Sequence, residues 1–254
     1  ARLFTPIAAL ADTPITIQGE GTLCHRPMSM MVEPLKELGV AVRDGGGRLP
    51  IEVCGPMRGG RVAVDGHMSS QFVTGLLIAL PLVARDTTVE VRGAVSTPYI
   101  DMTMETVSRF GVEIMYNEGD YTEFYISGNQ QYQPVDYTIE SDWSAASYWY
   151  LITALSKDAE ITLPGLFKQS YQGDSKVEEI FRSLGVETTH DNQTVTLHKS
   201  GKPVERLDYD FVNQPDLAQT FVVTCALMNI PFRFSGLQSL KIKETDRMAA
   251  LINE

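Results

Sequence analysis

The stretch SSQFVTGLLIALPLVARDTTVEVRG, residues 69–93, carries two patterns in succession. From Phe72 to Ala84 it is almost wholly apolar, as a buried helix is, and VEVRG then alternates like a strand before stopping on a glycine. The same order of patterns returns along the chain. The short strands ITIQG, VEVRG, ITLPG and FRFSG end at Gly19, Gly93, Gly165 and Gly236, spaced 74, 72 and 71 residues apart. Each follows an apolar segment of helical character: RLFTPIAALAD, SSQFVTGLLIALPL, SAASYWYLITALS and DLAQTFVVTCALMN. A spacing so regular marks an internal repeat.

After the first three strands comes an amphipathic stretch closing on Gly-Val: MSMMVEPLKELGV, YIDMTMETVSRFGV and SKVEEIFRSLGV. Its apolar residues fall at three- and four-residue intervals, and Gly39, Gly111 and Gly185 sit where a helix C-terminal cap belongs. Two alternating segments follow, as in VEIMYNEGDYTEFYISG, where NEGD is the turn of a hairpin. The expected fold class is α/β (α+β), built from repeated βαβαββ units. The first copy begins inside its first helix and the fourth stops inside its second, so the sequence reads as a fragment with about four units. The polar segment NQQYQPVDYTIESD, with Pro134, is the expected domain boundary, dividing the chain near Ile139 into 1–139 and 140–254.

Composition limits the function. A chain of 254 residues with 43% hydrophobic content has enough apolar side chains for one large core or two smaller ones. With 21 basic against 32 acidic residues the net charge is −11, which argues against nucleic acid, whose backbone needs a basic face. A few local arginines can still hold a small anion. Cys24, Cys54 and Cys225 are far apart and form no CxxC pair, so neither a disulfide framework nor a zinc site is expected, and a reducing cytoplasm fits. The longest apolar run is shorter than the ~18 residues a spanning helix needs, so no membrane segment is expected.

The residues with chemical potential sit at helix starts, where unpaired amides and the positive dipole end favour anions. Ser69, Ser70 and Gln71 in DGHMSSQ suit a phosphate, although plain N-capping explains a lone Ser-Ser as well. The same ordinary explanation covers Ser144 in ESDWSAAS and Asp216 in NQPDLAQ. Arg26 stands just before Pro27, a residue suited to a helix start, and could grip a carboxylate or phosphate with two hydrogen bonds. In KIKETDR, Lys243 and Arg247 are four residues apart and are expected to share one face of a starting helix.

Taken in order, DGHMSSQFVTGLLIALPL, VSTPYIDMT, QGDSKVEEIFRSLG and KIKETDR resemble the EPSP synthase family of enolpyruvyl transferases along essentially the whole chain. The resemblance implies six βαβαββ units in two globular domains, an inside-out barrel arrangement with the active site between them. It implies transfer of the enolpyruvyl group of phosphoenolpyruvate to the 5-hydroxyl of shikimate 3-phosphate, with no metal or other cofactor, by a cytoplasmic monomer of the chorismate pathway. A fragment lacking the remaining units is expected to be inactive by itself. By matching motif, Ser69, Ser70, Gln71, Ser96, Tyr99, Asp216 and Lys243 would hold shikimate 3-phosphate, while Arg26, Gln71, Arg247 and Arg2 would hold phosphoenolpyruvate. Asp216 would accept the hydroxyl proton and Glu244 would assist proton transfer at the methylene carbon, whereas Gln238 or Ser239 stands where relatives carry an asparagine. Two alternatives remain. A UDP-N-acetylglucosamine enolpyruvyl transferase shares the fold but lacks the SSQ and KETDR pairing, and typically has a reactive loop cysteine, for which Cys24 is the candidate. A noncatalytic repeat scaffold would keep the units without the chemistry.

Overall fold

The computed structural model describes all of residues 1–254, and the chain divides into two compact units. Unit 1 comprises Ala1–Val135 with Ile242–Thr245, and unit 2 comprises Asp136–Lys241 with Asp246–Glu254. The division at Val135 falls four residues before the expected Ile139. No helix is long and apolar enough to cross a membrane.

In unit 1 the helices are α1 (Phe4–Ala8), α2 (Ser29–Glu37), α3 (Ser70–Ala79) and α4 (Pro98–Arg109). One antiparallel sheet, in the order β1-β3-β2, uses β1 (Ile15–Ile17), β2 (Ala41–Asp44) and β3 (Ile51–Cys54). The other, in the order β4-β5-β7-β6, uses β4 (Arg61–Asp65), β5 (Thr87–Arg92), β6 (Ile114–Asn117) and β7 (Asp120–Ile126). Strand β5 is parallel to β4 and antiparallel to β7, the βαβ-then-hairpin connectivity that the repeat calls for. Helix α3 is apolar on all sides and is buried accordingly, with Phe72, Val73, Leu76 and Leu77 inaccessible to solvent. The alternation of β5 places Val89 and Val91 on the same core, to which the amphipathic α4 contributes Ile100 and Met104.

Unit 2 repeats the scheme with α5 (Trp143–Leu155), α6 (Val177–Arg182), α7 (Ala218–Leu227) and α8 (Arg247–Asn253). Strands β8 (Glu160–Pro164), β9 (Val186–Asp191) and β10 (Thr194–Lys199) form an antiparallel sheet in the order β8-β10-β9, and β11 (Leu207–Asp210) pairs in parallel with β12 (Phe232–Ser235). Its core is aromatic: the Phe181 and Phe221 rings lie 4.5 Å apart and those of Phe211 and Phe221 5.5 Å apart, beside buried Trp143 and Tyr150. Unlike α3, the equally apolar α5 and α7 bury one side and leave Trp149, Ile152 and Leu227 exposed. The strand expected ahead of α5 makes no ladder. Residues 136–142 are tied down by side chains, with the Glu140 carboxylate accepting from Trp143 Nε1 (2.6 Å), Phe167 N (2.9 Å), Ser170 Oγ (2.7 Å) and Gln172 Nε2 (3.1 Å).

The repeat glycines have a common physical role at three of the four positions. Gly93, Gly165 and Gly236 have φ of 65°, 81° and 73°, the left-handed region that favours glycine. At each, the turn leading into the preceding inner helix lies against the strand end: Gly66 N donates to Arg92 O, Ser141 N to Gly165 O and Phe211 N to Ser235 O, at 2.7–2.9 Å. A Cβ on Gly236 would stand 2.2 Å from Val212 N. Gly119, in the β6–β7 turn at φ 81°, faces open space. In urea denaturation Gly119→Ala is therefore expected to cost about 1 kcal/mol from backbone strain alone, and Gly236→Ala clearly more. Equal losses would show that close approach at Gly236 is not the constraint.

Candidate functional site

In unit 1 the site forms around the start of α3. Ser69 is its N-cap in extended conformation (φ −172°), and its Oγ accepts from Gln71 N at 3.3 Å. The capping role is thus real, and the Ser69 hydroxyl proton remains available to donate. Ser70 follows as the first helical residue and is buried, while Gln71 is exposed. Arg2, from the segment before α1, reaches across: Nη2 donates to Pro27 O at 3.0 Å, Nη1 to Gln71 Oε1 at 3.4 Å, and the guanidinium lies 4.8 Å from the Phe72 ring centroid. The bond to Gln71 orients its amide, leaving the NH2 end as the free donor.

Arg26 ends a 3-10 turn, Gly21–His25, with ψ of 137°, two residues ahead of the N-cap Met28. It lies outside α2, as its place before Pro27 suggested, but Pro27 precedes the helix rather than opening it. The Arg26 Nε is buried and has no hydrogen-bond partner. Arg2, Arg26 and Gln71 share a cavity of about 190 Å³ with Phe4, Met28 and Leu49, and no acidic residue lines it. Burial, and then the charge of Arg26, push the Arg2 guanidinium down to about 10, still protonated at neutral pH. Two cations held together without a carboxylate, one with an unused buried N–H, make a site for an anion.

Ser96 lies two residues ahead of α4 and Tyr99 in its first turn, and α4 packs along α3 with Thr103 Oγ1 3.3 Å from Thr74 Oγ1. Ser96 has φ of 52°, uncommon for a residue with a side chain and the kind of backbone strain that collects at ligand sites. Cys24, the candidate reactive thiol, donates to Gly19 O at 2.9 Å.

In unit 2, Asp216 lies in the 3-10 turn Pro215–Leu217 ahead of α7, and its Oδ1 accepts from Arg247 Nη1 at 2.8 Å. Two residues assigned to different substrates are therefore bonded to each other here. Arg247 opens α8, whose N-cap is Asp246, accepting from Ala249 N at 3.1 Å. That cap corrects one expectation. A helix capped by Asp246 cannot include residue 243, so Lys243 and Arg247 do not share a helix face; Lys243 and Glu244 sit in the bend before it and group with unit 1. Gln238 and Ser239 form part of another 3-10 turn, Gln238–Ile242. At α5 the cap is Asp142, which accepts from Ser144 N (2.8 Å) and Ala145 N (3.3 Å), so Ser144 is not the capping residue. Its hydroxyl instead donates to Asp174, a fully buried carboxylate. Sequence reading passed over Asp174 although it lies in the quoted QGDSK, and the Gly-Asp-Ser just ahead of a helix was the available signal. No group of three or more His, Cys, Asp or Glu side chains is arranged to hold a metal ion.

A repeat of βαβ units and hairpins that gathers hydroxyl, amide and guanidinium groups at its helix starts is the fold and site of an anion-handling α/β protein. The comparisons narrow the class. The family model for EPSP synthase (3-phosphoshikimate 1-carboxyvinyltransferase) matches residues 1–254. A 3-phosphoshikimate 1-carboxyvinyltransferase of Bacteroides fragilis is 45% identical over 253 residues, covering 97% of this chain and 61% of the relative, and one of Methanospirillum hungatei is 34% identical over 258 residues, covering 99% and 60%. Among solved structures, an EPSP synthase from Acinetobacter baumannii aligns with a TM-score of 0.75 at 18% identity, covering 99% of this chain and 58% of that one. The enolpyruvyl transferase NikO from Streptomyces tendae aligns at 0.62 and 15% identity, covering 91% and 55%. This chain belongs to the EPSP synthase family. It spans about three-fifths of the length of the curated relatives it matches.

The paired arginines give a direct prediction. Inorganic phosphate is expected to raise the melting temperature of the chain, since a ligand at about 100 times its Kd stabilises by about 2.7 kcal/mol. Arg26→Ala should remove most of that rise, and Arg43→Ala, on an exposed strand edge, should leave it. An undiminished rise in Arg26→Ala would place the anion elsewhere.

Proposed function

We propose that this chain carries much of the catalytic apparatus for transfer of the enolpyruvyl group of phosphoenolpyruvate to the 5-hydroxyl of shikimate 3-phosphate. The observation that carries the reading is the acid-free cavity shared by Arg2, Arg26 and Gln71 beside the Ser69–Ser70 start of α3, in a member of the EPSP synthase family. Each substrate bears a phosphate and a carboxylate. Unit 1 supplies Ser69, Ser70, Ser96 and Tyr99 for shikimate 3-phosphate and Arg2, Arg26 and Gln71 for phosphoenolpyruvate; Lys243 and Glu244 group with the same unit. Unit 2 supplies Asp216 and Arg247.

The chemistry follows from those groups. The acceptor hydroxyl oxygen bonds to C2 of phosphoenolpyruvate while C3 gains a proton, giving a tetrahedral intermediate with a methyl group. Loss of phosphate from C2 and of a proton from that methyl then gives the enol ether. Asp216 accepts the hydroxyl proton, and Glu244 assists proton transfer at C3. A general base of this kind contributes roughly 10²- to 10⁴-fold. Because Asp216 is bonded to Arg247, binding of phosphoenolpyruvate does two things: it engages the arginine and releases the carboxylate for the acceptor hydroxyl. The enzyme is read as a cytoplasmic monomer, a setting with which the free thiols of Cys24, Cys54 and Cys225 agree.

The test is phosphate release by the intact polypeptide that carries this chain, given phosphoenolpyruvate with shikimate 3-phosphate or, separately, with UDP-N-acetylglucosamine. Release with shikimate 3-phosphate alone is expected. Release only with the nucleotide sugar would assign the other transferase, and silence with both would leave a noncatalytic scaffold. Asp216→Asn should lower kcat by about 10²-fold or more while changing shikimate 3-phosphate affinity far less; unchanged kcat would remove Asp216 from the proton transfer.

A further inference from the structure

Between helices α5 and α7 runs a seam of polar side chains that the surrounding core does not call for. Asp174, Ser147 and Thr224 have no solvent exposure and Thr220 has 1%, and their neighbours in the same core include Trp143, Tyr150, Phe181 and Phe221. Their hydrogen bonds connect. The Ser144 hydroxyl donates to Asp174; the Ser147 hydroxyl lies 2.6 Å from Ser144 O, to which it donates, and 2.9 Å from Thr220 Oγ1. Thr224 Oγ1 donates to Thr220 O at 2.7 Å.

A buried hydroxyl pair adds little net stability over packed methyl groups, but a buried hydroxyl left without a partner is costly. Such a pair therefore acts chiefly on geometry. Rotating α7 or sliding it along α5 would cost Thr220 its partner on α5 and leave Ser147 only its bond to Ser144 O, whereas an apolar seam has no such bond to lose. The position of the lock is informative: Thr220 is one helical turn beyond Asp216, and Ser147 is about one turn beyond Ser144. Unit 1 has the same device. Thr103 Oγ1 donates to Tyr99 O (2.8 Å) and lies 3.3 Å from Thr74 Oγ1, with Thr74 one turn beyond Ser70 and Thr103 one turn beyond Tyr99. In both units the hydroxyl lock sits one turn behind residues assigned to ligand or proton.

We propose that the hydrogen bonds running from Asp174 through half-buried Ser144 and its backbone carbonyl to Ser147 and Thr220 position Asp216 by fixing the register of α7 against α5, so that these four are positioning residues for the proton transfer. The inference rests on the transferase reading above. Proton abstraction requires the carboxylate within about 2.6–3.2 Å of the hydroxyl, and a displacement near 1 Å can cost on the order of 100-fold.

The experiment uses the intact polypeptide, whose turnover with shikimate 3-phosphate and phosphoenolpyruvate is established first; without turnover, the transferase reading fails and this inference fails with it. Thr220→Val keeps the branched shape and removes the hydroxyl, Ser147→Ala removes its partner, and Thr220→Ser restores a hydroxyl. Thr224→Val, one turn deeper in the same seam, controls for general loosening. The expected result is a kcat at least tenfold lower in Thr220→Val, with KM for both substrates within twofold. The Thr220→Val/Ser147→Ala double variant should be no slower than the worse single variant, and Thr220→Ser should return most of the lost rate. Thr224→Val should lower the melting temperature and leave kcat within threefold. Wild-type kcat in Thr220→Val and Ser147→Ala would overturn the proposal while leaving the transferase reading intact. An equal loss of kcat in Thr224→Val would overturn it too, since the effect would then be loosening rather than register.

Discussion

The close approach of each helix-entry turn to a strand-ending glycine is the constraint on which much of the rest depends. At Gly93 and Gly165 a side chain of the neighbouring turn, His67 or Ser141, and at Gly236 the turn's own backbone occupies the space a Cβ would need, and at each a backbone hydrogen bond fixes the crossing. That turn leads directly into an inner helix, α3, α5 or α7. Where the helix begins is thereby set by the strand. Ser69, Ser144 and Asp216 come after these crossings in their units. The hydrophobic effect buries the helices behind them, but it is indifferent to rotation and sliding; the hydroxyl locks supply the register that it cannot.

The electrostatics of those starts differ between the two units. The chain is acidic overall at −11, yet the cavity at the start of α3 brings two guanidiniums together with no carboxylate in its lining. Burial first and the Arg26 charge second push the Arg2 guanidinium down, and an anion there would offset the second of these and give the unused Arg26 N–H an acceptor. In unit 2 the opposite solution holds, with Arg247 satisfied internally by Asp216.

Much of this was legible in the sequence because it is local or periodic. The glycine-ended strands, the Gly-Val helix ends and the NEGD hairpin depend on near neighbours, and the elements lie where those patterns fall. Helix starts at Ser69–Ser70 and near Pro215–Asp216 could be read from capping and turn chemistry. What could not be read was pairing across distance. Arg2 meets Gln71 across 69 positions, Glu140 gathers donors from as far as Gln172, and Ser144 finds Asp174 thirty residues on; none of these leaves a local signature. The KETDR segment misled for a local reason. Its four-residue charge spacing looks helical, but Asp246 is the stronger signal, a cap that starts the helix at Arg247 and leaves Lys243 and Glu244 ahead of it.

Whether helix starts in this repeated fold hold a phosphorylated acceptor is tested by a crystal structure of the intact polypeptide with shikimate 3-phosphate. The expected result is a phosphate within hydrogen-bond distance of the Ser69 and Ser70 hydroxyls and of Ser96. A phosphate bound away from the start of α3, with Ser69 still serving only as a cap, would contradict it.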